Sequence, residues 1–433
     1  MFNHTVLAFI HCLWVSVCIA SPHNESQPVS SELFSSLEEL SRLVDIAYCV
    51  GTTGVQEPFQ CLSHCAEFPG LQLLTTWNTG ILLSDSCGYM AVSHTLGAER
   101  IILAFRGTYS ITNTIIDLSA YPQAYVPYTG GDMGDEPEDG SGTPLQGQKC
   151  ENCTVHAGFM TSWLNTRSTV VPQLIAAREQ FPNYEITLVG HSLGGAVAAL
   201  AGLEMNLKGW NPSVTTFGEP MVGNQEFVEF LDKRFQMGSY HTPSSDRVTR
   251  SFRRVTHIND PVPLLPLQEW GYTAHAGEIF ISNPDLPPSI EDLQICQGNQ
   301  DPRCIAGSDT PALLLDMYRD VNIPLDVLST RLDPCPSRRG PQGTDSGHQV
   351  LLERQEDRIG SADCVAHDAT APLYPLRWDW SLIPARYRLW ELFYAHRDYF
   401  WRIGLCVPGE IRPGRSNVRI CIFLVWVSYS YLP

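Results

Sequence analysis

Ser192 sits at the centre of Gly190-His-Ser-Leu-Gly194, a G-x-S-x-G spacing. A serine hydroxyl is a weak nucleophile until a base takes its proton, and the base in turn needs an acid to orient it. The motif carries such a serine on a sharp turn between a strand and a helix. Both flanks have the required character. Ile186-Thr-Leu-Val189 is a short run of buried-strand composition, and Ala196-Val-Ala-Ala-Leu200 reads as a tightly packed helix. Small residues beside the serine let strand and helix approach, and the cramped backbone lifts the hydroxyl clear of both. Ser192 is read as the nucleophile of an acyl transfer.

On an α/β-hydrolase sheet the partners follow in the order serine, acid, histidine. Asp260 lies just past the strand-like Arg253-Arg-Val-Thr-His257, in a turn bracketed by Pro261 and Pro263 that would hold a carboxylate rigidly. Glu219 also follows a strand, Ser213 to Gly218, and is the rival acid. Four histidines come after Asp260: His275, His348, His367 and His396. His348 and His367 lie in Gly/Asp-rich loop sequence. His275 precedes an apparent strand, Gly277-Glu-Ile-Phe-Ile, and His396 lies in an aromatic run close to Cys406. Spacing does not choose between His275 and His396. A tetrahedral intermediate also needs two backbone N–H groups. Leu193 supplies one, and Thr108, at the end of the strand-like Arg100 to Gly107, is the natural source of the other. Beyond it, Ile111, Ile115 and Leu118 share one side of a short helix opposite Asn113 and Asp117, a stripe that fits either a lid or ordinary core packing.

Strands alternate with helices across 99–260, which gives an α/β fold with a mainly parallel sheet. Leu33, Leu37, Leu40, Val44 and Ala47 mark a helix over Ser31 to Tyr48, another spans Gly158 to Phe181, and a third starts at Asn224. Ile81-Leu-Leu and Tyr89-Met-Ala-Val read as antiparallel strands. Residues 128–148 form a Gly/Pro/acid-rich loop. The formal net charge of −18 over 433 residues argues against nucleic acid and against anionic membranes, so any lipid contact is apolar. Residues 1–20 read as a signal peptide, residues 21–410 as a single domain, and 411–433 as an apolar tail. Fourteen cysteines fit a secreted protein, and Cys61/Cys65, Cys150/Cys153 and Cys296/Cys304 are close enough for local bridges. Zinc at Cys150-x-x-Cys153 is set aside because no second CxxC or suitably spaced histidine pair accompanies it. Asn24 and Asn152 head glycosylation sequons.

Seven pieces in order, Phe105-Arg-Gly-Thr-Tyr-Ser110, Cys150 to Phe159, Gly190 to Gly194, Thr216 to Asn224, Arg254 to Pro263, Gly271 to His275 and His396-Arg-Asp-Tyr-Phe400, resemble the motifs of the class 3 lipases. These are secreted lipases of filamentous fungi and their feruloyl-esterase relatives, and the resemblance spans roughly residues 45 to 406. It implies an α/β-hydrolase fold with a helical lid at 110–118. It further implies Ser192 as nucleophile, Asp260 as acid, His396 as base, Thr108 and Leu193 as oxyanion donors, and a structural role for His275. Cys49 would pair with Cys406, and Cys61/Cys65 and Cys150/Cys153 match the pattern. The implied activity is that of a triacylglycerol lipase, hydrolysis of acylglycerol esters at an oil–water interface through an acyl-enzyme, with no metal, cofactor or protein partner. The alternatives are a feruloyl esterase, a phospholipase or a non-catalytic lipid-binding relative. Thr114 stands where some relatives carry Trp, Met221 where many have Arg, and 305–395 is an insertion before the base.

Overall fold

Two runs, Ile101 to Phe105 and Ile186 to Val189, set the architecture because they are buried on both sides. A strand with no polar face must be covered from above and below, the situation of a parallel sheet between helix layers. The computed structural model describes residues 29–80, 86–108, 122–125, 150–237, 251–305 and 394–406. Its main sheet has eight strands: β1 (Leu71–Asn78), β2 (Cys87–Ser93), β3 (Arg100–Arg106), then β6 (Glu185–His191), β7 (Ser213–Phe217), β8 (Phe252–His257), β9 (Glu278–Ile281) and β10 (Leu293–Ile295) in spatial order. β3, β6, β7, β8 and β9 are mutually parallel, while β2 pairs antiparallel with β3 and with β1 at one edge, and β10 pairs antiparallel with β9 at the other. β4 (Pro122–Ala124) and β5 (Thr154–His156) form a separate short ribbon.

The alternation of β3 divides the core. Ile101, Leu103 and Phe105 join the face covered by α2 (Ala157–Gln180) and α3 (Leu193–Leu207). Ile102 and Ala104 join the face covered by α1 (Ser31–Ala47). α3 is almost wholly buried, and its small residues bring it onto the sheet; a Cβ on Gly202 would come within 2.5 Å of Val214 Cγ2. The two exposed-to-core helices are capped as their sequences suggest. Ser30 accepts from the Leu33 N–H at the start of α1, and Asn224 accepts from the Phe227 N–H at the start of α4 (Gln225–Arg234).

The helices over 31–48 and 158–181 and the helix after Asn224 are found where periodicity puts them, and so are the strands ending at Arg106, His191, Phe217, His257 and Ile281. Tyr89 to Val92 lies in β2, antiparallel both to β1, a strand absent from the sequence reading, and to β3. Ile81 to Leu83, the signal segment, the stripe at 110–118, the loop at 128–148, His348, His367, nearly all of the 305–395 insertion and the apolar tail lie outside the described residues.

Four disulfides join Cys49 to Cys406, Cys61 to Cys65, Cys150 to Cys153 and Cys296 to Cys304 among the described residues. The first ties the end of α1 to residues 394–406, which contribute no strand to the main sheet. Much of that short segment nevertheless packs inside the protein: Tyr399, Phe400 and Ile403 are buried against α1 and β7.

Candidate active site

Ser192 falls between β6 and α3 with φ 58° and ψ −131°, a conformation that a non-glycine residue holds only under constraint. The constraint is steric. A Cβ on Gly190 would lie 2.2 Å from the Gly194 carbonyl oxygen, and one on Gly194 would lie 2.3 Å from that of Phe105. The Ser192 side chain makes no capping bond to α3, so its hydroxyl is not engaged by the helix it precedes. Leu193 opens α3, and its N–H belongs to the first turn, which has no intrahelical acceptor. Gly107 packs directly on the serine: a Cβ there would be 2.6 Å from Ser192 Cβ. Half-buried Thr108, the next residue, is thereby carried to the side of Ser192.

Asp260 follows β8 in a turn closed by its own N–H to the His257 carbonyl at 3.0 Å. Its carboxylate is saturated with donors. His396 Nδ1 lies 2.9 Å from both oxygens, the Val262 N–H donates to Oδ1 at 2.9 Å, and the Tyr399 hydroxyl donates to Oδ2. Burial and the Asp260 charge drive the Tyr399 phenol well above its ordinary range, so it stays a donor. With Asp260 holding the proton on Nδ1, His396 Nε2 is the bare nitrogen. It is buried and has no hydrogen-bond partner among the described residues, the Ser192 hydroxyl included. Gly218, at φ 58°, makes room for this cluster: a Cβ would meet Asp260 Oδ2 and Tyr399 Oη at 2.8 Å and His396 Cε1 at 2.9 Å.

The rival acid and rival histidine of the sequence are both present and bond to each other. His275 Nε2 is 3.0 Å from Glu219 Oε1, and Thr216 Oγ1 donates to Glu219 Oε2 at 2.5 Å. The structure thus sorts the four residues into two pairs, of which only Asp260–His396 includes a histidine with a bare ring nitrogen. Tyr399, three residues after the histidine, was not singled out by sequence reasoning; its signal would have been a buried phenol in need of an acceptor. Among the described residues no group of three or more His, Cys, Asp or Glu side chains is arranged to hold a metal, and Cys150 and Cys153 are joined to each other.

His257 flanks the acid, with its ring 6.0 Å from that of Tyr399 and its Nε2–H donating to the Asn283 carbonyl at 3.1 Å. Burial lowers its pKa below the ordinary histidine value. The unfolded chain therefore takes up a proton as pH falls through about 6.5, while the folded one does so only at lower pH. This contribution is complete above that value and is lost on acidification. His257→Gln keeps the donor and removes the titration, so its unfolding free energy in urea is expected to decline less steeply than wild type between pH 7 and 5. Parallel slopes would contradict the assignment.

A mainly parallel sheet with a serine elbow after a central strand, an acid after a later strand and a histidine beyond defines an α/β-hydrolase. The sequence profile of the family Lipase (class 3) matches residues 102–270. Lipase A of Sodiomyces alcalophilus is 48% identical over 404 residues, covering 88% of this chain and 84% of that protein. The secreted mono- and diacylglycerol lipase 2 of Gibberella zeae is 47% identical over 395 residues, with the same coverage of 88% and 84%. Among solved structures, the nonglycosylated Lip2 lipase of Yarrowia lipolytica superposes with a TM-score of 0.56 at 34% identity, covering 65% of this chain and 91% of that one. The chain belongs to the class 3 lipase family. It is an enzyme, a lipase, and it is secreted.

Proposed function

We propose that Ser192, His396 and Asp260 form a catalytic triad that hydrolyses the carboxylic esters of acylglycerols through an acyl-enzyme. The observation that carries this reading is the His396 ring, with Nδ1 2.9 Å from both Asp260 oxygens and Nε2 left bare and buried. In that tautomer Nε2 takes the Ser192 proton as Oγ attacks the ester carbonyl, then returns it to the departing glycerol oxygen. Asp260 stabilises the imidazolium formed between the two steps. The N–H groups of Thr108 and Leu193 receive the oxyanion, each contributing about 3 kcal/mol to the transition state. Water, activated by the same histidine, then releases the fatty acid.

The substrate class follows from relatives rather than from geometry. The Gibberella zeae protein is named for mono- and diacylglycerols, which favours partial glycerides over triacylglycerol as the preferred esters of this chain. The residues 110–118 would then govern entry at an oil–water interface.

A p-nitrophenyl alkylphosphonate tests the chemistry directly. One equivalent of p-nitrophenol should be released as activity disappears, with the added mass on the peptide holding Ser192. Inactivation that leaves Ser192 unmodified would overturn the triad. Initial rates on emulsified mono-, di- and triolein then rank the substrates, and a triolein rate above the other two would reverse the preference for partial glycerides.

A further inference from the structure

The triad leaves the histidine next to the nucleophile without a role. His191 is buried between α1 and residues 394–406, its ring 4.6 Å from that of His396. Its Nε2 lies 2.8 Å from the backbone carbonyl oxygen of His396, a group that can only accept, so Nε2 carries the ring proton. Around the ring stand Tyr48, just past the end of α1, and His396, Arg397 and Tyr399 from the segment bearing the base. Burial, with the Arg397 charge nearby, holds the His191 pKa well below the ordinary value. The ring is therefore neutral and its Nδ1 bare. Nδ1 accepts the Tyr48 hydroxyl proton at 2.5 Å, and Tyr48 Oη accepts the Gly107 N–H at 3.1 Å. An N–H at one end and a carbonyl at the other fix the direction of every bond between them.

We propose that Tyr48 and His191 are positioning residues, a hydrogen-bonded strut that sets the base His396 against the nucleophile and the oxyanion donors. The inference rests on the triad proposed above. Its three catalytic parts come from distant stretches, and the strut ends beside each: Gly107 precedes Thr108, His191 precedes Ser192, and the final acceptor is His396 itself. Sheet register already fixes two of the three, because Phe105 pairs with Gly190 across β3 and β6. Register does not reach the third, since residues 394–406 form no strand of that sheet. The bond from His191 to the His396 carbonyl supplies the missing constraint. Gly107 belongs to the same design: a Cβ there would be 2.6 Å from Tyr48 Oη and 2.7 Å from the His191 carbonyl oxygen.

The test uses a monomeric ester, p-nitrophenyl butyrate below its solubility limit, with kcat and KM taken per folded molecule from circular dichroism. Tyr48→Phe deletes one hydroxyl, and His191→Gln keeps an N–H near the Nε2 position while removing the Nδ1 acceptor. Misplacement of a reacting group by a fraction of an ångström to one ångström lowers rates by about ten- to a hundredfold. A fall in kcat of about that size is expected for each variant, with KM changed less than about twofold. Both substitutions cut the same Tyr48–His191 bond, so the double variant should be no worse than the poorer single by more than about threefold. His191→Leu, which also loses the donor to His396, should be slower than His191→Gln. Wild-type kcat in Tyr48→Phe, losses that multiply in the double variant, or equal kcat for Gln and Leu at 191 would each overturn the strut. Ser192→Ala, assayed alongside, separates the two readings. If it keeps its activity the triad fails, whereas an inactive Ser192→Ala beside an unimpaired Tyr48→Phe sinks only the strut.

Discussion

Asp260→Asn is expected to lower kcat by about four orders of magnitude while the chain stays folded. The carboxylate now accepts the Nδ1 proton of His396 with both oxygens at 2.9 Å, and this bond selects the tautomer. An amide presents an N–H where an oxygen stood. Facing that donor, the imidazole keeps a bond only by moving its proton to Nε2, and a protonated Nε2 cannot take the Ser192 proton. With its oxygen at the Oδ1 position the amide still accepts the Val262 N–H, and its NH2 at the Oδ2 position can donate to the Tyr399 hydroxyl oxygen, so the turn after β8 keeps its acceptor. Glu219→Gln is the matched control, because it alters the other buried acid–histidine pair. It should leave kcat within about threefold and lower stability by about 1–3 kcal/mol, the cost of misdirecting a buried donor between Thr216 and His275. Turnover of a soluble ester and thermal melts of both variants measure the two effects. A four-decade loss in Glu219→Gln with activity retained in Asp260→Asn would reverse the identity of the acid.

The contrast between those two carboxylates shows where the sequence was legible. The elbow could be read because its residue types answer a local steric demand: Gly190 and Gly194 stand where a Cβ would come within 2.2–2.3 Å of backbone oxygens. β3 and β6 could be read because both their faces are buried, which makes their apolar runs nearly continuous. The base could not be read from spacing. His396 meets Asp260 across 136 residues and His275 meets Glu219 across 56, both near 3 Å, and nothing in the separations ranks one pairing above the other. Resemblance to the class 3 lipases chose His396, and the bare Nε2 supports the choice on physical grounds. β1 escaped notice for a different reason. A bulge between Leu73 and Thr75 slips the register by one residue, so its two buried positions, Leu71 and Trp77, lie six residues apart yet join opposite faces of the sheet, and no simple alternation marks the strand. The strut from Gly107 to His396 was invisible for the same reason as the triad pairing, since its members touch only after α1, β3, β6 and the final segment have packed.

That dependence on packing makes the Cys49–Cys406 bridge the second large effect. Replacing both cysteines by Ser is expected to cost about 4–5 kcal/mol of stability, near the top of the range for a single disulfide. The bridge closes 357 residues, and in the chain-entropy account the restriction it places on the unfolded chain grows with that number. The segment it holds has few alternatives. Its one bridge of strand type, Asp398 to Arg402, is internal, and its docking relies on the Gly404 N–H to Asp45 Oδ1 at 2.6 Å, the Phe34–Phe400 contact at 5.3 Å and the bonds made by His396 and Tyr399. Because those last bonds belong to the proposed catalytic cluster, loosening the segment is expected to displace His396 before the sheet unfolds. The double variant should therefore lose activity on warming at a lower temperature than it loses its far-ultraviolet signal, with a melting point on the order of 10 °C below wild type. Cys61/Cys65, closing a span of 4 residues, provides the comparison, and its removal should cost about 2 kcal/mol with activity and structure lost together. Equal melting points for the two double variants would exclude chain entropy as the main term. Coincident loss of activity and structure in Cys49→Ser/Cys406→Ser would mean that the base segment is held by its side-chain contacts alone.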